Sequence, residues 1–318
     1  MVTLEQARMG NAPVLTSLML GMSNGTMVAE KIFPRLNSTM TAMMLMALGN
    51  AANRRYDGLK RAPGGPFKQV EITFEGKKYT ISQSAVDVPI PFEVIKEINA
   101  AMQINQGQKM EIDRIGVSTG YQILTLDYER EASELASNAS NYAVGNTEAL
   151  TGAAKWSNEN STPITDIDDA MEVVRGKAGI RPNCILLSAK SYYKIRRHKQ
   201  VLAQLSSVDR GAASLDQLKS ILDIPNIFVG DATMDGQDLW GANTILYYTP
   251  NSLMTTTPFA NVSLTEPAFG FTGTTDNGIS VSPPFVKTDN ETMVYRCKFH
   301  RTPHITTNGA GFLFQTTV

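Results

Sequence analysis

The sequence predicts an α+β fold that includes a mixed α/β unit. Three observations carry this. Apolar and polar residues alternate every second position over 70–82 and again over 294–299; an apolar repeat of three to four residues runs through 111–136; strand-like and helix-like segments alternate over 165–249.

A chain of 318 residues has room for about two domains or one elaborated one. Charged residues are 19% of it, below the ~25% of ordinary soluble domains, which points to buried interfaces. The 29 basic and 30 acidic residues leave a net charge of -1, so neither strong attraction to a phosphate backbone nor a dedicated DNA-binding protein is expected. Only Cys184 and Cys297 are present, too few for a disulfide-framed secreted scaffold, and a reducing cytoplasm is expected. Glu5 and Arg8 precede any apolar stretch, which is not the pattern of a signal peptide, and no apolar run approaches the ~18 residues of a membrane span.

Nine of the 15 methionines lie in residues 1–50, among them Met40, Met43, Met44 and Met46. Methionine fills irregular gaps and suits adaptable binding surfaces, but the same residues could simply fill the core side of a helix. Arg54, Arg55, Lys60 and Arg61 then lead into Ala62-Pro63-Gly64-Gly65-Pro66, a loop. Val70, Ile72 and Phe74 alternate with polar neighbours, Glu75-Gly76 offers a turn, and Tyr79 and Ile81 alternate again, which predicts a hairpin with Lys77 and Lys78 at its tip. An isolated hairpin is marginal in water, so it must find a partner surface, on this chain or on another.

Asp87-Val88-Pro89-Ile90-Pro91 is expected to end the strand, with a helix starting at Pro91 and carrying Val94, Ile95, Ile98, Ala101 and Met102 on one side. The longest helix is predicted from Glu111 to Ala136, on Val117, Tyr121, Leu124, Tyr128, Ala132 and Leu135, with Gly116 and Gly120 weakening its first turns. Residues 137–165 read as a loop. A helix capped by Thr165 or Asp166 runs to Lys177 and is broken by Gly179; Cys184 to Ser188 is a buried strand; the next helix, with Tyr192, Tyr193 and Ile195, ends in Arg196, Arg197, His198 and Lys199, where positive charge complements the helix dipole. Ser214 opens a short helix, followed by strands at Ile227 to Val229 and at Thr244 to Thr249, and residues 262–318 are mainly strand-like.

Signatures of phosphate-binding loops, hydrolase elbows, zinc proteases and paired CxxC are absent from the sequence. Cys297, His300 and His304 could approach a metal, but a closed zinc site needs a fourth ligand. Asp166, Asp168 and Asp169 are better read as acids at a helix start. Gly309-Ala310-Gly311 lacks the strand-turn-helix context of dinucleotide binding and reads as a turn. His198, among basic residues, is read as part of a solvated face or a subunit contact. No catalytic residue, cofactor or metal ligand is therefore assigned.

Gly179-Ile180-Arg181-Pro182-Asn183 before an apolar strand, His198-Lys199-Gln200-Val201, the stretch Leu222-Asp223-Ile224-Pro225-Asn226-Ile227-Phe228-Val229-Gly230, Leu239-Trp240-Gly241 and Glu266-Pro267-Ala268-Phe269-Gly270 together resemble tailed-bacteriophage major capsid proteins of the Hong Kong 97 type. The resemblance in order and spacing covers 165–275. It implies an N-terminal arm (1–50), an extended loop hairpin (51–84), a peripheral domain with a spine helix (85–164), an α/β axial domain (165–275) and C-terminal strands returning to the peripheral domain (276–318).

That resemblance further implies a shell of pentamers and hexamers around double-stranded DNA, assembled in the bacterial host cytoplasm and found in the virion capsid. A portal, a possible decoration protein and a separate scaffolding protein would be partners, the last because the arm begins almost at Met1 where many relatives carry a scaffolding segment. DNA would be contacted non-specifically and no membrane is involved. The residues expected at subunit contacts are Met40, Met43, Met44, Arg54, Arg55, Lys60, Arg61, Val70, Ile72, Phe74, Lys77, Lys78, Tyr79, Arg196, Arg197 and His198. Competing readings are an encapsulin-type compartment holding an enzyme cargo, and an enzyme whose site the sequence does not advertise.

Overall fold

A computed structural model of the chain describes residues 19, 27–38, 41–48, 60, 63, 74–97, 111–205, 211–250 and 268–318; at 43–48, 74–77, 111, 276 and 277 the backbone alone is described. A four-residue helix α1 (Ala29–Ile32) leads into strand β1 (Arg35–Ser38) and then β2 (Ala42–Leu48). Strand β3 (Phe74–Thr80) pairs antiparallel with β2, Leu48 opposite Phe74 and Ala42 opposite Thr80. The expected turn at Glu75-Gly76 is therefore wrong: the chain runs straight through it, and the partner strand comes from the methionine-rich segment. Ala, Met and Leu favour helix in isolation, so the local signal pointed away from a pairing that only distant residues supply.

Strand β4 (Ser82–Pro91) continues through both Pro89 and Pro91, and helix α2 (residues 92–97) begins one residue later than expected. Proline is tolerated there because β4 is an edge strand, bonded among the described residues to β13 (Thr292–Ile305) alone. Helix α3 (Glu111–Ser137) matches the predicted long helix, and a short strand β5 (Thr147–Ala149) interrupts the following loop. Helix α4 (Pro163–Ala178) starts two residues before the expected cap, because Pro163 fits the first helical position where a missing N–H does no harm. Gly179 closes it at φ 72°, a left-handed conformation that glycine adopts without strain. Its buried face, Ile164, Ile167, Ala170, Met171, Val174 and Ala178, keeps the helical spacing.

Strand β6 (Cys184–Ser188) is buried along its length and is followed by α5 (Ala189–Ile195) and α6 (Lys199–Gln204). The basic cluster is a break between two helices, not the end of one: His198 is the N-cap of α6. Helix α7 (Leu215–Leu222) opens on a reciprocal cap in which the Ser214 hydroxyl accepts from the Gln217 amide and the Gln217 side chain accepts from the Ser214 amide. Then come β7 (Asn226–Gly230), a tight hairpin of β8 (Thr233–Met234) and β9 (Gln237–Asp238), β10 (Thr244–Tyr247), β11 (Gly270–Val281), β12 (Phe285–Lys287), the long β13 and finally β14 (Gly311–Gln315). Residues 308–310 form a one-turn helix, so Gly309 does lie in a turn.

Two sheets carry the body. In the first, β1 runs parallel to β11, and β13 lies between β11 with β12 on one side and β4 on the other. The second has the order β5-β14-β10-β6-β7. Within the C-terminal stretch, β13 packs against α3, whereas β14 pairs with β10 in the second sheet, Leu246 opposite Phe312. The two sheets meet at Phe269, whose ring lies 5.9 Å from Phe33, 5.4 Å from Tyr142 and 6.1 Å from Tyr247.

Helix α3 runs along one face of β13. A β-carbon on Gly116 would lie 2.6 Å from the Tyr295 ring, and one on Gly120 would lie 2.5 Å from Cys297 Sγ. The glycines that weaken the helix locally are what lets it lie this close. Further along, Tyr128 meets Phe299 edge-on at 5.8 Å, and the fully buried Arg301 reaches Asp127 at 2.8 Å and also pairs with Glu131.

Candidate assembly surfaces

Among the described residues β2 and β3 pair only with each other, so they form a two-stranded ribbon that continues β1 and β4 out of the first sheet. Seven residue pairs at ~3.3 Å each give it a length of roughly 23 Å. Met43, Met44, Phe74 and Lys77 all lie on this ribbon. Lys78 is exposed, and so is Lys60 beyond the ribbon's far end. Tyr79 is different: its ring is buried at the base, 5.2 Å from Phe271 and 4.7 Å from His304, and serves as a root for the ribbon. Met40, Arg54, Arg55, Arg61, Val70 and Ile72 lie outside the described residues.

The arm is not wholly an outward-facing element, because residues 28–36 are part of this chain's own core. Ile32, Phe33 and Leu36 are buried. The Phe33 carbonyl accepts from the hydroxyls of Tyr128 (3.1 Å) and Thr272 (3.0 Å), and the Lys31 carbonyl accepts from Tyr247 (3.1 Å). At the start of α1 sits a carboxylate the sequence reading passed over. Glu129, on α3, is fully buried and accepts from the amides of Val28 (3.0 Å) and Ala29 (2.8 Å) and from Trp240 Nε1 (2.7 Å). One side chain thus ties together the arm, the long helix and the loop before β10. Burial raises its pKa even though three donors oppose the shift. The signal was available: Glu129 falls among Thr125, Tyr128 and Ala132 on the buried arc of the helix, where a carboxylate needs partners.

The cluster at 196–198 separates into three roles. Arg196 is half-buried with its guanidinium 5.4 Å from the Tyr192 ring, and Arg197 is exposed. His198 is buried and not on a solvated face; its Nδ1 accepts from the Gln200 amide (3.2 Å), which leaves the proton on Nε2 to donate to the Asn158 carbonyl (2.9 Å). Arg197, Lys194, Lys199 and Tyr193 border an open groove of about 680 Å³ together with Trp156 and Glu159.

The metal and nucleophile candidates raised by the sequence are not brought together among the described residues. Alternation along β13 puts Cys297 on the face toward Gly120, while His304, an odd number of residues away, stacks on Tyr79 and Phe271 on the other side, so the two cannot share a metal ion. Burial pushes the Cys297 thiol up to about 11 and the Cys184 thiol up to about 12, opposite to the shift that activates a nucleophilic thiol. Asp166 accepts from Trp156 Nε1 (2.8 Å) and Thr162 (3.2 Å), a structural role.

No family model matches the chain. It is 25% identical, over 267 residues that make up 82% of each sequence, to the major capsid protein of Burkholderia phage BcepMu. It superposes with a TM-score of 0.78 on the crystal structure of a phage-related protein from Bordetella bronchiseptica RB50, 24% identical, over 96% of this chain and 97% of that one. An encapsulin complex from Synechococcus elongatus PCC 7942 superposes with a TM-score of 0.52 at 11% identity, over 90% of this chain and 85% of that one, a likeness of fold alone.

Proposed function

We propose that this chain, which has the Hong Kong 97-type fold of phage capsid proteins, is a major capsid protein that assembles into pentamers and hexamers and encloses double-stranded phage DNA in an icosahedral shell. The observation that carries this reading is the ribbon β2–β3, a two-stranded element with one apolar strand, leaving the body of a chain whose sequence relative is itself a capsid protein. Two strands alone are marginally stable in water, so the ribbon gains its stability by lying on a neighbouring subunit. Each subunit then makes several weak contacts, and their number holds the particle together without a single tight pair. The product of the fold is geometry, and a scaffolding protein, a portal and a decoration protein are the partners such a shell recruits.

Sequence kinship favours the phage shell over an encapsulin compartment: the phage relative shares a quarter of its residues across most of both chains, the encapsulin only a fold. Location in the virion after assembly in the host cytoplasm follows from the same reading. Electron microscopy of the purified protein, expressed with and without its neighbouring genes, tests it. Closed polyhedral shells or their pentameric and hexameric units are expected; a monomer that stays solitary at high concentration under every condition refutes it.

A further inference from the structure

The groove beside α5 and α6 carries Lys194, Arg197 and Lys199 with a single acid, Glu159, and its rim is greased by Tyr193, 54% exposed, and Leu202. Among the described residues none of the three cations has an ion-pair partner, whereas nearby charges such as Lys190, Arg181 and Lys219 do. Unpaired like charges gathered at a concave, part-apolar surface suit an acidic, convex partner.

This same chain carries such a feature. The β8–β9 hairpin turns through Asp235 and Gly236, both in the left-handed region at φ 52° and 76°, which is the tight two-residue turn that matches strand twist. Asp231 and Asp235 are exposed on it and unpaired among the described residues. Its base is fixed, because Asp238 is bound by Lys190 at 2.8 Å on the first turn of α5. The groove begins on the same helix at Tyr193 and Lys194, three to four residues and about 5 Å of rise beyond Lys190, and no residue of the hairpin lines it. On one copy they do not meet. Two different patches that complement each other on one molecule form a head-to-tail contact, and such a contact closes into a ring when the rotation per copy allows it.

We infer that the groove of Lys194, Arg197 and Lys199 receives the Asp231/Asp235 hairpin of the adjacent copy, and that this is a contact which closes the capsomer ring. The inference rests on the shell reading above and assigns one of its contacts. Two charge variants and their combination test it: Asp231→Lys with Asp235→Asn, the asparagine keeping a residue that tolerates the left-handed turn, and Lys194→Glu with Arg197→Glu. Sedimentation velocity measures the fraction in capsomers and shells, and thermal melting of the unassembled protein verifies that each variant folds. Each charge variant alone should lower assembly about tenfold, the wild type should weaken as salt is raised, and the four-fold combination should recover to within about threefold of wild type. Charge variants that fold and assemble like wild type, or a combination no better than the worse of its parents, overturn the contact while leaving the shell reading intact. A wild type that forms no capsomers or shells overturns both.

Discussion

Replacing Glu129 by alanine removes the only acceptor found, among the described residues, for three buried donors, the amides of Val28 and Ala29 and the indole N–H of Trp240. Each orphaned buried donor costs about 1–3 kcal/mol, and against this stands the relief of no longer burying a charge. The desolvation that raises the Glu129 pKa is that opposing contribution, and the three hydrogen bonds only partly offset it. The net loss should be about 3–5 kcal/mol, in the range for breaking a buried charged network. For a chain of this size that lowers the melting temperature by about 4–8 °C. Glu129→Gln keeps one carbonyl oxygen, turns an amide N–H₂ toward a donor, and should lose about 1–3 kcal/mol. The sign with pH is also defined. A carboxyl whose folded pKa is raised contributes stability that is full below its unfolded value and declines as pH rises through the folded one, so the gap between wild type and the glutamine variant should widen on acidification from pH 7 toward about 4.3. Calorimetry of unassembled protein, with hydrogen exchange at Val28 and Ala29, reads both effects. An alanine variant that melts within 1 °C of wild type with those two amides equally protected would refute the reasoning that Glu129 holds the arm.

Two further substitutions follow from the packing. Gly120→Ala gains about 1 kcal/mol of helix propensity, but its β-carbon meets Cys297 Sγ at 2.5 Å, and crowding of this kind costs about 1–3 kcal/mol. The net effect in chemical denaturation should be destabilising, and Cys297→Ala in the same chain should recover part of the loss; additive effects of the two changes would show that the close approach carries no energy. Asp87, held below the usual carboxylate range by its two 2.7 Å contacts with Arg296, contributes stability that is present above its unfolded pKa and lost as pH falls through the lower folded one. Both partners are close to half exposed, so the contribution is small. The difference in melting temperature between wild type and Asp87→Asn should shrink as pH falls below the ordinary aspartate value of about 3.9, and a difference independent of pH would count against the ion pair.

What could be read in advance was whatever repeats locally. The apolar spacing of Val117, Tyr121, Leu124, Tyr128 and Ala132 recurs within each helical turn, so the extent of α3 was visible to within a residue. The cap at Ser214 needs only Gln217, three residues on. Pairing between distant segments leaves no such trace. Val70, Ile72 and Phe74 alternate as a strand should, yet Phe74 bonds across to Leu48, and nothing within ten residues of either predicts the other. The arm shows the same limit: the groups that hold residues 28–36 belong to residues 128, 129, 247 and 272, and no local pattern announces a partner a hundred positions away. Gly116 and Gly120 were visible as costs to the helix, while the reason for that cost, contact with Tyr295 and Cys297, lies on a strand almost 180 residues later.

The composition of β2 also fits the requirement placed on a projecting ribbon. A long apolar strand with free edges is a template for indiscriminate pairing, and a ribbon that must wait for its neighbour is exposed to that hazard. Ala-Met-Met-Leu-Met-Ala-Leu is apolar enough to cover a neighbouring subunit but poor in the β-branched and aromatic residues that drive strands together. Lys77 and Lys78, set opposite Leu45 and Met44, add positive charge to β3, so two ribbons meeting edge to edge would repel. In the shell proposed above, methionine's adaptable side chain would let one apolar strand fit the differing neighbours of pentamers and hexamers. Low intrinsic strand preference, adaptable apolar contact and a charged partner strand are three demands of one task, which is to remain unpaired until the correct surface arrives.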